Sequence, residues 1–138
     1  MSACMLEVEI LVGEQDAASG RVPPPEEVRR LCALATGSGG IGDGHLAIEF
    51  VDERRIAELN ARHRQRRGPT DVLSFPVDEK GPGRGARELG DVVICLKHTV
   101  DVAEAIVHGV LHLIGMDHET DDGEMLIVQR ELLARGPA

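Results

Sequence analysis

Residues 5–12, MLEVEILV, alternate apolar and acidic positions, the period of a strand with one buried face. The period then changes. PPPEEVRRLCALATG (23–37) opens on proline and glutamate and carries Val28, Leu31, Cys32 and Ala35 on one side at helical spacing, with Gly37 as its expected stop. HLAIEFVD (45–52) predicts a second strand. A helix is predicted from 53 to about 66, with Asp52 as N-cap, Ile56, Leu59 and His63 along one side, and Pro69 beyond its end. DVLSFPV (71–77) predicts a short strand, and DEKGPGRGARE (78–88) a glycine-rich loop or hairpin. DVVICL (91–96) is apolar nearly throughout, as a buried strand is. Residues 101–114 predict a helix with Asp101 and Glu104 spaced as a capping box and Gly115 at its end. Asp121 and Glu124 repeat the capping spacing before a last helix to about 134.

These elements mix strands and helices, which gives an α+β or α/β class. The 138 residues contain no repeat and no dividing linker, so a single domain is expected. GSGGIG (37–42) matches the G-x-G-x-x-G pattern, but a dinucleotide site needs a strand before it and a helix after it. Here the predicted order is reversed, so a connecting loop is the better reading.

Composition narrows the picture. The chain is 42% apolar, yet Phe50 and Phe75 are its only aromatics. The core must be aliphatic, and a surface that stacks bases on exposed rings is excluded. The net charge of −9 argues against broad, non-specific nucleic-acid binding. That charge is uneven. Residues 54–67 carry six arginines (54, 55, 62, 64, 66 and 67) against Glu58 alone, a local +5 that leaves −14 for the rest. Cys4, Cys32 and Cys95 are odd in number and form no C-x-x-C pair, which fits a reduced, cytoplasmic protein. MSACMLEVEI lacks the plan of a signal peptide, and no apolar run is long enough to suggest a membrane span.

The strongest chemical signal is VHGVLHLIGMDH (107–118). His108 and His112 are four apart on the predicted helix and so lie on one face. Gly115 lets the chain turn back, which gives His118 room to supply a third nitrogen. Three neutral imidazoles and one open position make a catalytic zinc site, here one ion per chain on a helix and the turn that follows it. Asp117, Glu119, Asp121 and Asp122 are nearby acceptors for the ligands' second nitrogens. Three ordinary helix histidines are the alternative, but the spacing around a helix-ending glycine favours the metal. His45, His63 and His98 show no such pattern and read as structural or solvent-facing.

The spacing is that of the peptidase motif H-E-x-x-H-x-x-G-x-x-H, but Gly109 replaces the glutamate that would take the proton from metal-bound water. Phosphodiester transfer tolerates that loss better, because it depends on positioning and on stabilising charge at phosphoryl oxygens. An arginine of the 54–67 stretch then has a use in holding phosphate near the metal. Most of the six fit a solvated helix face equally well.

Three segments together resemble the YbeY family of bacterial single-strand-specific endoribonucleases. HGVLHLIGMDH (108–118) is similar to the family signature, with Met116 in place of the usual Tyr. PTDVLSFP (69–76) matches the family's run, LGDVVI (89–94) its G-D strand, and EMLIVQRELL its C-terminal pattern. The resemblance implies an α+β fold with a small mixed sheet, of about four strands here, flanked by helices. It implies zinc held by His108, His112 and His118, and a functional arginine in the N-x-x-x-R segment, where Asn60 and Arg64 stand. Arg64 would bind or polarise the scissile phosphate. It implies work in ribosomal RNA processing at the 3′ end of the small-subunit RNA and in ribosome quality control. The partners would be single-stranded or ribosomal RNA, with ribosome or small-subunit proteins beside it. The segment TVDVAEAIV reaches the histidine motif sooner than is usual in the family, which would shorten the helix or alter one wall of the cleft. Arg67 stands where an acid is common.

Thr70 and Asp71 read as a turn into a strand, and Asp91 as a turn residue at a strand start. Two other functions compete. One is a metallopeptidase with a displaced base such as Glu119. The other is a non-enzymatic ribosome-assembly factor with structural zinc, for which Cys95 would be a fourth ligand.

Overall fold

A computed structural model describes residues 5–63, 70–77, 88–116 and 123–135. The elements in chain order are β1 (Met5–Val12), α1 (Glu14–Ala18), α2 (Pro25–Ser38), β2 (Asp43–Val51), α3 (Glu53–His63), β3 (Val72–Pro76), β4 (Glu88–Cys95), α4 (Val102–Leu113) and α5 (Glu124–Ala134). A single 3-10 turn, Leu96–His98, links β4 to the approach to α4. The strands form one mixed sheet in the order β1-β2-β4-β3. β1, β2 and β4 run parallel, and β3 is antiparallel to β4. This is the small four-stranded α+β sheet the sequence predicts.

Strand alternation sorts the apolar side chains onto two faces. Val8, Leu46, Ile48, Phe50, Val92 and Ile94 point to the larger core, which α2, α4 and α5 cover. Val51, Leu73, Val93 and Cys95 point the other way and meet Ile56 and Leu59 of α3. β4 therefore feeds both cores in turn, which is why DVVICL shows no polar alternation.

The expected helix signals act as read. Asp52 Oδ1 accepts the Arg55 N–H at 2.8 Å and starts α3. Asp101 Oδ1 accepts the Glu104 N–H at 3.1 Å and starts α4. After the abrupt TVDVAEAIV approach, α4 runs for 12 residues, Val102–Leu113. Arg21 holds that approach by donating to the carbonyls of Leu96 and Thr99.

Several boundaries differ from expectation. α2 runs through Gly37 to Ser38 and is closed by Gly39, whose N–H reaches the Thr36 carbonyl at 3.0 Å. The chain from there enters β2, so the glycine-rich stretch follows a helix and precedes a strand as predicted. β4 begins at Glu88, so Asp91 lies inside the strand rather than at its start. The extension comes from pairing on both sides, Glu88 with His45 and Gly90 with Pro76. α5 has Gly123 at its N-cap with no side-chain cap bond, and Asp121 lies outside the described residues. The predicted 78–88 loop also lies outside them except for Glu88. α1 was not predicted at all. It buries no residue, so it leaves no hydrophobic period to read. Among the described residues no helix is long and apolar enough to cross a membrane.

Candidate metal centre

From Ala105 to Leu113, α4 is buried at every position except two. Those two are His108 and His112, which are half-buried. The helix packs its aliphatic side chains under α2, against the sheet and against α5, and it presents imidazoles where it meets solvent. The two rings lie 4.8 Å apart between centroids, inclined at 75°. This is the one-turn pair that helical spacing predicts.

Position 109 lies between them and faces the sheet. A Cβ built there would stand 2.4 Å from Val92 Cγ1 and 3.3 Å from Ser74 Oγ. Val92 and Ser74 are register partners on adjacent strands, so both sit under the same point of the helix. Ser74 Oγ also donates to the Gly109 carbonyl at 2.9 Å. The strand of PTDVLSFP is thus bonded directly to the backbone between the histidines.

The helix ends in a Schellman turn. The Gly115 N–H reaches the His112 carbonyl and the Met116 N–H reaches the Leu111 carbonyl, each at 3.1 Å. Gly115 makes this with φ of 101°, a value that disfavours any residue with a Cβ. The turn that the sequence assigns to Gly115 is therefore present. His118, with Asp117, Glu119, Asp121 and Asp122, lies outside the described residues. Among the described residues, no group of three or more His, Cys, Asp or Glu side chains is placed to hold a metal.

One contact was not anticipated. His108 Nδ1 lies 2.8 Å from Gln129 Oε1 of α5. Gln129 is buried on the same face of its helix as Met125 and Leu132. An amide at a core position of an otherwise apolar stripe was the available sequence signal. The pair of half-buried imidazoles, one with its second nitrogen already engaged, is a donor set that suits zinc.

Arg64 also lies outside the described residues, as do Arg66 and Arg67. α3 leads up to it. Asn60 is buried, and His63 meets Phe75 of β3 edge-to-face with centroids 4.9 Å apart. Phe75 packs on the α3 side of the sheet, while its neighbour Ser74 reaches α4 on the other. Arg54 and Arg55 each approach Glu58 at 3.7 Å on the exposed surface of α3, as a solvated helix face would.

Asp71 ties down the entry to β3: its carboxylate accepts the Val72 N–H at 2.9 Å, and its carbonyl accepts the Cys95 N–H at 2.9 Å. Thr70 Oγ1 donates to the same carboxylate at 3.3 Å. Cys95 is fully buried in the α3-side core, with the sheet between it and α4. That puts it on the opposite face of the sheet from the histidine pair, and burial pushes its thiol upward. His98 binds Glu53 at 2.6 Å, and that hydrogen bond, with one from Lys97, lowers the Glu53 carboxyl. His45 binds Glu88 at 2.9 Å, which raises its imidazole above the usual range.

A family model described as endoribonuclease YbeY matches residues 26–135. An endoribonuclease YbeY from Stutzerimonas stutzeri is 36% identical, aligned over 94% of this chain and 87% of its own. One from Bacillus cytotoxicus is 38% identical over 77% of this chain and 82% of its own. One from Thermobifida fusca is 43% identical over 64% of this chain and 70% of its own. The solution structure of a Thermotoga maritima protein superposes with a TM-score of 0.50 at 26% identity, covering 94% of this chain and 87% of that one.

Proposed function

The chain belongs to the endoribonuclease YbeY family, and on that premise we propose that it is a zinc-dependent endoribonuclease cutting single-stranded RNA. The observation that carries the reading is the half-buried pair His108 and His112, one turn apart on an otherwise buried helix. His108, His112 and His118 would hold the ion. Zinc bound there supplies a Lewis acid for a phosphoryl oxygen of the substrate. Arg64 binds the scissile phosphate through its planar guanidinium, which matches two phosphate oxygens at once. Gly109 carries no base and has no space for one, which suits phosphodiester chemistry better than peptide hydrolysis.

The substrate within the cell is ribosomal RNA, at the 3′ end of the small-subunit species, and the protein works in the cytoplasm in ribosome maturation and quality control. Ribosomal proteins of the small subunit are the partners expected beside the RNA. A purely structural zinc would need a fourth protein ligand. Cys95, the candidate for that place, lies across the sheet.

The test is cleavage of a single-stranded RNA by the purified protein, run beside His112→Ala prepared identically. Cleavage by the wild type alone, lost in the mutant together with bound zinc, is the expected result. Equal cleavage by both, or by neither, would sink the proposal. Arg64→Ala is expected to keep the metal and lose cleavage, and an unchanged rate would remove Arg64 from the mechanism.

A further inference from the structure

We propose that Gln129 is a positioning residue for the metal centre: its amide oxygen holds His108 as the Nδ1–H tautomer and so reserves Nε2 for the metal. The inference rests on the reading of His108 as a ligand. A neutral imidazole carries one N–H and one lone pair. The amide oxygen of Gln129 can only accept, and it lies 2.8 Å from His108 Nδ1. In a neutral ring this contact assigns the proton to Nδ1 and leaves the lone pair a metal needs on Nε2.

The setting of Gln129 gives the contact its weight. Its neighbours along the inner face of α5 are Met125 and Leu132, both in the aliphatic core, and Gln129 itself is only 8% exposed. An apolar side chain would suit such a place better, since a buried amide is costly unless it is hydrogen-bonded. α5 thus gains a polar link to the site helix beside the apolar packing of Met125 and Leu132. A neutral acceptor orients the ring without adding negative charge. The metal keeps more of its positive charge for an anionic phosphodiester than it would beside a carboxylate.

The test uses metal-free protein labelled with nitrogen-15 at histidine, together with zinc-binding measurements. In the wild type, the His108 ring should show a protonated Nδ1 and an unprotonated Nε2. Gln129→Met keeps the length of the side chain and removes the acceptor. It should release His108 to the Nε2–H tautomer and weaken zinc binding about 10–100-fold. Gln129→Glu should restore both. An Nε2–H ring in the wild-type protein overturns the proposal, and so does an unchanged tautomer and zinc affinity in Gln129→Met. The wild-type spectrum decides the matter even where Gln129→Met does not fold. A wild-type protein that binds no zinc would instead remove the metal centre on which the proposal rests.

Discussion

Gly109 of α4 lies so close to Val92 of β4 that a Cβ at position 109 would stand 2.4 Å from Val92 Cγ1. The helix that bears the histidine pair is therefore pressed onto the sheet at the position where a zinc peptidase carries its base. The backbone there is also tied down, since the Gly109 carbonyl accepts from Ser74 Oγ. The missing glutamate is a consequence of how the helix packs as well as a difference in chemistry. No single substitution at 109 can supply a base without moving the helix off the sheet.

Gly109→Ala should accordingly destabilise the fold, by about 1–3 kcal/mol as overpacked core sites do, although alanine is the better helix former. Val92 is β-branched and stiff, so it cannot turn aside cheaply. Val92→Ala alone should also destabilise, by leaving a cavity. The double variant should be more stable than the sum of the two losses predicts, because each change makes room for the other. Urea unfolding of the four proteins measures this. Strict additivity would mean that Val92 is not what limits position 109.

Much of this was legible in the sequence, and what was not has a common physical cause. Asp52 and Asp101 act within one turn of their own helices, so local spacing was enough to identify them. The same holds for His108 and His112, whose shared face follows from helical periodicity alone. The face on which Cys95 lies could not be read, because β4 is apolar on both sides and shows no alternation. Its direction is fixed by pairing with β2 and β3, which are distant in sequence. The partner of His108 was hidden for a similar reason. Gln129 is an ordinary polar residue until α5 packs against α4. The early start of β4 likewise depends on strands that flank it in space rather than along the chain.

The placement of Cys95 makes a direct prediction. Cobalt substituted for zinc should give a spectrum without a thiolate charge-transfer band. Cys95→Ser should leave metal affinity unchanged and cost stability, because it puts a hydroxyl among Val51, Ile56, Leu59, Leu73 and Val93. A thiolate band that disappears in Cys95→Ser would show that the sheet does not separate the two.

Gly90, the glycine of LGDVVI, should be among the most sensitive positions. Its φ is 130°, and a Cβ there would come within 2.3 Å of the Phe75 carbonyl oxygen. The register between β2 and β4 also shifts at this point: His45 pairs with Glu88, and Leu46 with Gly90. Gly90→Ala meets both backbone strain and a contact with rigid main chain, and a loss of more than about 2 kcal/mol is expected. Thermal unfolding beside Gly37→Ala, a helical position with no neighbour in reach of a Cβ, provides the comparison. Equal melting points for the two variants would show that the bend in β4 is not held by its glycine.

His45 makes the fold less stable as pH rises. Its imidazole is raised from 6.5, first by the hydrogen bond to Glu88, then by the charges of Glu88, Glu9 and Glu7, while burial acts the other way. The groups facing it are Glu7 and Glu9 from β1 and Glu88 from β4, with Asp91 further along β4. Folding favours the protonated ring, so its stabilisation is complete below 6.5 and is lost as pH rises through the higher folded value. Asp91 is raised above 3.8, mainly by burial, and its effect falls in a separate, more acidic window. The His45 side chain is 29% exposed and Glu88 more so, which limits the effect to under about 1 kcal/mol. Urea unfolding in the presence of a chelator, between about pH 6 and about pH 8.5, should show the wild type losing stability and His45→Gln losing less. Equal losses in the two proteins would assign the dependence to other groups and leave the His45–Glu88 bond without energetic weight.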